Sequence, residues 1–189
     1  MSGILVVDDH PVIERACRLL LEANGVGSII AARDVGGGRT AFLQHRPDVV
    51  ILDLSLNGER LASLAFIQHI RSLDPNARIL VFSMHDDSGS FAAAIEAGAT
   101  GYLIKDSPTA ELEKAVRRVR SGHRYIDSQL ALKLAFPGAT LSPREGQLIT
   151  VLLDGSRFIN ASNQVASSDD TLIDLRHLFG RQTSPSKPG

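Results

Sequence analysis

The sequence predicts an α/β fold, a doubly wound parallel sheet built from five strand–helix repeats, (βα)5, followed by a small all-α C-terminal module. Short apolar runs alternate with longer amphipathic stretches up to about residue 120. The apolar runs are continuous rather than alternating in polarity, which suits strands covered by helices on both faces. The 189 residues suffice for one domain of about 100 to 150 residues and a smaller module.

The strands are read at Ile4–Val7, Ser28–Ala32, Val49–Leu52, Ile79–Phe82 and Gly101–Ile104, all rich in residues that suit a buried sheet. Between them, Pro11–Ala23, Val35–His45, Leu61–Leu73, Ser88–Ala97 and Pro108–Arg120 repeat apolar residues at spacings of three and four, the period of a helix with one buried face. Pro11 and Pro108 fall at helix starts, where a missing amide donor is harmless, and Gly25 and Gly98 follow the first and fourth helices as caps. The second helix carries Gly36, Gly37 and Gly38, each costing about 1 kcal/mol relative to alanine in a helix interior. It is therefore expected to start late or to be mobile.

The first domain is placed at residues 1–121, a linker with one short helix near Gln129–Phe136 at 122–139, a helical module at 140–181 and a disordered tail at 182–189. The net charge of −1 with 43% hydrophobic and 22% charged residues gives no global attraction to nucleic acid or membrane. Cys17 is the single cysteine, so no intramolecular disulfide forms. No apolar run approaches the roughly 20 residues that span a bilayer, and the expectation is a cytoplasmic protein with no membrane partner.

In such a sheet, function gathers at the carboxyl ends of the strands. The first strand ends in Asp8-Asp9, the third in Asp53, the fourth in Ser83 and the fifth in Lys105. Three carboxylates brought together repel one another unless a cation neutralises them. Mg²⁺ suits an open, all-oxygen site of this kind made by Asp8, Asp9 and Asp53, and no His/Cys cluster offers zinc an alternative. Beside such an ion Asp53 can act as a nucleophile on phosphorus, with Ser83 donating to one phosphoryl oxygen and Lys105 pairing with another. His10 and His85 lie nearby but have no orienting partner visible in the sequence, and neither is assigned a role.

Val7-Asp8-Asp9-His10-Pro11, the strand-end Asp53, Ser83 and Tyr102-Leu103-Ile104-Lys105-Asp106 together resemble the receiver domain of two-component response regulators of the NarL/FixJ subfamily, over about residues 2–121. The intervals of 30 residues from Asp53 to Ser83 and 22 from Ser83 to Lys105 match that family. The resemblance implies phosphoryl transfer to Asp53 from a sensor histidine kinase, a metal site at Asp8 and Asp9 completed by Asp53 and the backbone carbonyl of Ser55, and Ser83 and Tyr102 as switch residues. It also implies a homodimer, for which the charged fifth helix is a candidate surface. The protein is expected to be a signalling phosphoacceptor rather than an enzyme, with slow self-dephosphorylation; Asp53-Leu54-Ser55 lacks the second aspartate that an aspartyl-phosphate phosphatase would use. Leu56-Asn57-Gly58 replaces the family's Met-Pro step after the acceptor and implies a more flexible loop.

Leu141-Ser142-Pro143-Arg144-Glu145 resembles the opening of a LuxR-type helix-turn-helix, but the likeness fades past Gly155. Where a recognition helix would enter the major groove, the sequence reads Thr171-Leu172-Ile173-Asp174-Leu175. Residues 140–180 carry Arg144, Arg157 and Arg176 against Glu145, Asp154, Asp169, Asp170 and Asp174, an acidic balance that opposes phosphate binding. The expected output is a switch of conformation or dimerisation with DNA binding weakened or lost. The alternative is a phosphorylation-controlled DNA-binding transcription regulator.

Overall fold

The computed structural model describes residues 3–23 and 27–135. The expected helix-turn-helix at 140–181, the tail at 182–189 and the Gly25 cap lie outside the described residues. Strand β1 (Gly3–Val7), helix α1 (Pro11–Ala23), β2 (Ser28–Ala32), α2 (Val35–His45), β3 (Val49–Leu52), a 3-10 turn (Leu56–Gly58), α3 (Arg60–Leu73), β4 (Ile79–Ser83), α4 (Ser88–Ala97), β5 (Gly101–Ile104), α5 (Thr109–Arg120), β6 (Tyr125–Ile126) and α6 (Ser128–Ala135) follow in order. The strands form one parallel sheet in the order β2-β1-β3-β4-β5-β6.

Successive side chains of a strand point to opposite faces, so a strand buried on both sides feeds two cores. On one face Leu5, Val7, Val50, Leu52, Ile79 and Val81 pack with Phe42, Phe66, Ile67, Ile70 and Tyr102. On the other, Ile4, Val6, Val49, Ile51, Leu80 and Phe82 pack with Cys17 and Leu21 of α1 and Leu112, Val116 and Val119 of α5. This two-sided burial is why the strands read as unbroken apolar runs. Among the described residues no helix is long and apolar enough to cross a membrane.

Two sequence expectations are corrected. First, α2 starts at Val35 with all three glycines inside it. The Asp34 side chain accepts the Gly37 amide at 2.7 Å and caps the helix, offsetting part of the glycine penalty. A Cβ on Gly38 would lie 2.9 Å from the Phe66 ring and 3.2 Å from Val7, so at that position glycine is what allows the helix to sit close against α3 and the sheet. Second, the segment read as a linker at 122–139 adds an unexpected sixth strand, β6, paired with β5, and the short helix expected there, α6, belongs to the same body, with Leu130 fully buried in the core that holds Tyr102.

The remaining boundaries agree closely with the sequence reading. Helix α1 begins at Pro11, α4 ends at Gly98 in the left-handed conformation (φ 111°), and Pro108 stands just before α5 as its cap rather than within it. Asp87 caps α4 by accepting the Ser90 amide at 2.8 Å and its hydroxyl at 2.7 Å, which holds the carboxyl below its ordinary range. A lowered folded-state pKa means the contribution is present above the unfolded value and is lost as pH falls through the folded one. Asp87→Ala is accordingly expected to destabilise by about 1 kcal/mol in urea unfolding at neutral pH, with the difference from wild type vanishing in acid.

Cys17 is fully buried among aliphatic side chains, and desolvation pushes its thiol up to about 12, with the nearby Asp8 charge acting in the same direction. The thiolate is the reactive form. Native protein is therefore expected to resist thiol alkylation at neutral pH and to be labelled only on unfolding; rapid native labelling would contradict this packing.

Candidate phosphoacceptor site

Backbone hydrogen bonds between neighbouring strands bring the strand ends level. The Asp53 amide donates to Val7 O (2.9 Å), the Asp8 amide to Ala32 O (3.1 Å) and the Lys105 amide to Ser83 O (2.8 Å). The parallel register therefore delivers Asp8, Asp53, Ser83 and Lys105 to one crevice, as the strand-end reading required.

Asp8 and Asp53 are buried, and Lys105 Nζ lies between them, 2.7 Å from Asp8 Oδ2 and 3.0 Å from Asp53 Oδ2. Burial works to lower the lysine pKa, but the hydrogen bonds and charges of the two carboxylates outweigh it and raise the pKa. The ammonium is thus held charged. The remaining Asp53 oxygen, Oδ1, accepts the Ser55 amide at 3.0 Å.

Asp9 is half-buried at the rim. Its Oδ2 accepts the Asn57 amide at 3.2 Å, whereas its buried Oδ1 accepts no well-directed hydrogen bond. The nearest cationic group to Oδ1 is His10 Nδ1 at 2.9 Å, which forms an ion pair only when the imidazole is protonated. Ligand atoms of Asp8, Asp9, His10 and Asp53 all lie within 4.8 Å of one another. Three clustered carboxylates, of which only Asp8 and Asp53 share the Lys105 ammonium, with one buried Asp9 oxygen left over, fit a hard divalent cation. The Ser55 carbonyl, expected as a further ligand, accepts the Gly58 amide at 2.8 Å, which leaves its second lone pair for an ion.

The loop after Asp53 forms the 3-10 turn, in which Asn57 takes a positive φ of 52° and Gly58 one of 77°. This local geometry stands where the family's proline step was missing, and the Asn57 bond to Asp9 ties it to the site.

Ser83 is fully buried, with its Oγ accepting the His85 amide at 3.1 Å. Tyr102 is also buried; its hydroxyl donates to the His85 carbonyl at 2.8 Å, and its ring meets Phe91 edge to face at 5.7 Å. Desolvation pushes the phenol up to about 12 against an opposing hydrogen bond with Ser83, so it stays a neutral donor at physiological pH. Both switch candidates therefore converge on one residue, His85, Ser83 at its amide and Tyr102 at its carbonyl.

The two histidines left without roles have partners that the sequence did not reveal. His10 donates its amide to Asp8 Oδ1 at 2.9 Å, and its ring faces Asp8 and Asp9. His85 Nε2 lies 2.6 Å from Ser55 Oγ and bridges the loops after β3 and β4. A signal was available for the second pair: Ser55 and His85 each lie two residues past a chemically marked strand end on adjacent parallel strands, within one residue of the same level in the β3–β4 register.

Comparison with known proteins agrees with this geometry. The family model for the response regulator receiver domain matches residues 4–117. The chain is 32% identical over 180 residues to the methanol utilization control regulatory protein MoxX of Paracoccus denitrificans, covering 91% of this chain and 81% of that one. It is 28% identical over 188 residues to the response regulator UvrY of Escherichia coli K12, covering 94% and 85%. A crystal structure of a LuxR-family two-component response regulator from Aurantimonas superposes with a TM-score of 0.66 at 36% identity, covering 71% of this chain and 96% of that one. With its parallel sheet, its crevice of aspartates and lysine and these relatives, the chain belongs to the two-component response regulators and carries their receiver domain.

Proposed function

We infer that this response regulator accepts a phosphoryl group on Asp53 from a sensor histidine kinase, and that the aspartyl phosphate switches its conformation or dimerisation. The observation that carries the reading is Lys105 Nζ shared between the buried Asp8 and Asp53 carboxylates. An Asp53 oxygen attacks phosphorus; the new P–O bond forms as the P–N bond of a phosphohistidine breaks, and the imidazole leaves with the electron pair and takes up a proton. Lys105 stays charged and turns from the carboxylates to a phosphoryl oxygen, and the buried Ser83 hydroxyl, at the end of the adjacent strand, serves a second. Mg²⁺ held by Asp8, Asp9, Asp53 and the Ser55 carbonyl would neutralise the charge that builds up on the phosphoryl oxygens. Tyr102 follows Ser83 through their shared contact with His85. Hydrolysis of the aspartyl phosphate returns the protein slowly to its resting state.

The test is incubation of the full chain with a small acyl phosphate and Mg²⁺, followed by intact-mass measurement and mapping of the modified residue. A gain of one phosphoryl group on Asp53 that needs Mg²⁺ is the expected result; modification elsewhere would sink the assignment.

For output, the acidic balance of residues 140–180 supports weakened or lost DNA binding. One observation favours the alternative of a DNA-binding transcription regulator: the alignment with MoxX, a regulatory protein by name, runs through 91% of the chain and so extends well beyond the receiver domain. Fluorescence anisotropy with promoter DNA, with and without phosphorylation, separates the two; tight, salt-dependent binding would exclude the protein-only output.

A further inference from the structure

We propose that α6 is a latch that reports the occupancy of Asp53, fastened by Asp127 to the loop after Lys105 and by Lys133 to the loop after Ser83. The inference rests on the phosphoacceptor reading of Asp53.

The Asp127 side chain is almost wholly buried although it is a carboxylate. Its Oδ1 accepts the amides of Gln129 (2.9 Å) and Leu130 (3.1 Å), which caps the first turn of α6. Its Oδ2 accepts the hydroxyl of Ser107, two residues past Lys105. The Asp127 amide donates to the Tyr102 carbonyl at 2.8 Å, so the start of α6 hangs directly on the switch tyrosine. Further along, Lys133 pairs with Asp86, the residue after His85. Ile126, Leu130 and Leu134 pack into the same core as Tyr102, Phe91 and Ile95.

These fastenings differ in strength. Lys133 and Asp86 are both exposed, so their pair is weakly stabilising and screened by salt. The bond between Ser107 and Asp127 involves a buried charge that must keep its donors, and it is the stronger tie. Asp127 is therefore the positioning residue of the latch.

All three anchors stand on segments that respond to the acceptor. In the structure Lys105 is held by Asp8 and Asp53, and Ser83 Oγ is held by the His85 amide. A phosphoryl group on Asp53 competes for both, drawing Lys105 and Ser83 away from those partners. Ser107 follows Lys105 by two residues, and Asp86 follows Ser83 by three. The anchoring bonds are complete with the acceptor free, so displacement of either loop weakens them. Phosphorylation thus loosens α6, the last described element before the C-terminal module in chain order. By linkage, loosening α6 must favour the phosphorylated arrangement of the site by the same factor.

Hydrogen exchange of the full chain, read by mass spectrometry before and after treatment with acyl phosphate and Mg²⁺, tests the proposal. Peptides covering 128–135 are expected to exchange roughly 5- to 150-fold faster once Asp53 is phosphorylated, the range of typical coupling between sites. Ser107→Ala, which deletes one hydroxyl, is expected to show fast exchange in α6 without phosphorylation. It is also expected to bind the phosphoryl mimic beryllofluoride more tightly by a matching factor in calorimetric titration. A purely structural cap would not move that affinity. A phosphorylated chain with unchanged α6 exchange, or Ser107→Ala with unchanged beryllofluoride affinity, overturns the latch and leaves the acceptor reading standing. Absence of any mass gain on Asp53 overturns the acceptor reading and takes the latch with it.

Discussion

Phosphoryl incorporation falls to background in Asp53→Asn while the protein keeps its fold. The carboxylate oxygen is the only part of the residue that the reaction consumes, and an amide oxygen is a far poorer nucleophile toward phosphorus. Asparagine has the same shape, and its oxygen can still accept the Ser55 amide that Asp53 Oδ1 accepts at 3.0 Å. The backbone bond from residue 53 to Val7 is untouched. Lys105 loses one charged partner but keeps Asp8 at 2.7 Å, and the repulsion between the two buried carboxylates is relieved. These opposing changes leave stability within about 1 kcal/mol of wild type, since each is of hydrogen-bond size. Intact mass after treatment with acyl phosphate, alongside urea unfolding, checks both halves. Undiminished incorporation in this variant would move the acceptor to another carboxylate.

Lys105→Met produces the larger loss of stability and also slows transfer. Methionine fills much of the same volume but leaves Asp8 and Asp53 buried without their shared cation. Breaking a buried pair by removing one partner costs about 3 to 5 kcal/mol, because the desolvated charge remains. Removing one donor from a site where phosphoryl charge develops lowers the transfer rate by roughly 10² to 10³. Wild-type stability carries the matching pH signature. The Lys105 pKa is raised above its ordinary 10.5 by Asp8 and Asp53 despite burial, so its contribution is fully present below the unfolded value and is lost as pH rises through the folded one. Denaturation between neutral pH and pH 10 should therefore show the variant's deficit undiminished. Added Mg²⁺ should restore more stability to the variant than to wild type, since both cations neutralise the same carboxylates. Equal Mg²⁺ stabilisation of the two proteins would separate the lysine from the metal site.

The crevice was legible because its chemistry sits at strand ends, and a strand buried on both faces announces itself as a short apolar run with a polar full stop. Asp8, Asp53, Ser83 and Lys105 each followed such a run, and the parallel register brought them together. The polar network around them was not legible. His85 reaches Ser55, and Asn57 reaches Asp9, across 30 and 48 residues of chain, through loop geometry that no periodicity encodes.

By itself, then, the sequence determined the five repeats, the two-faced sheet and the polar residues that line the strand-end crevice, since hydrophobic period and strand-end polarity are local properties. Tertiary structure alone decided the rest. Three consecutive glycines pointed to a late start or mobility of the second helix, yet α2 starts at Val35 and runs through them, because the Asp34 cap and the close approach of Gly38 to Phe66 and Val7 outweigh the local propensity. Tyr125–Ile126 is too short to show a period, and it is a strand only because the edge of β5 is there to receive it. Asp127 looked like a linker residue. Its burial against Ser107 and Tyr102, which makes α6 part of the receiver, depends on contacts about 20 and 25 residues away in the chain, a distance over which local sequence carries no signal.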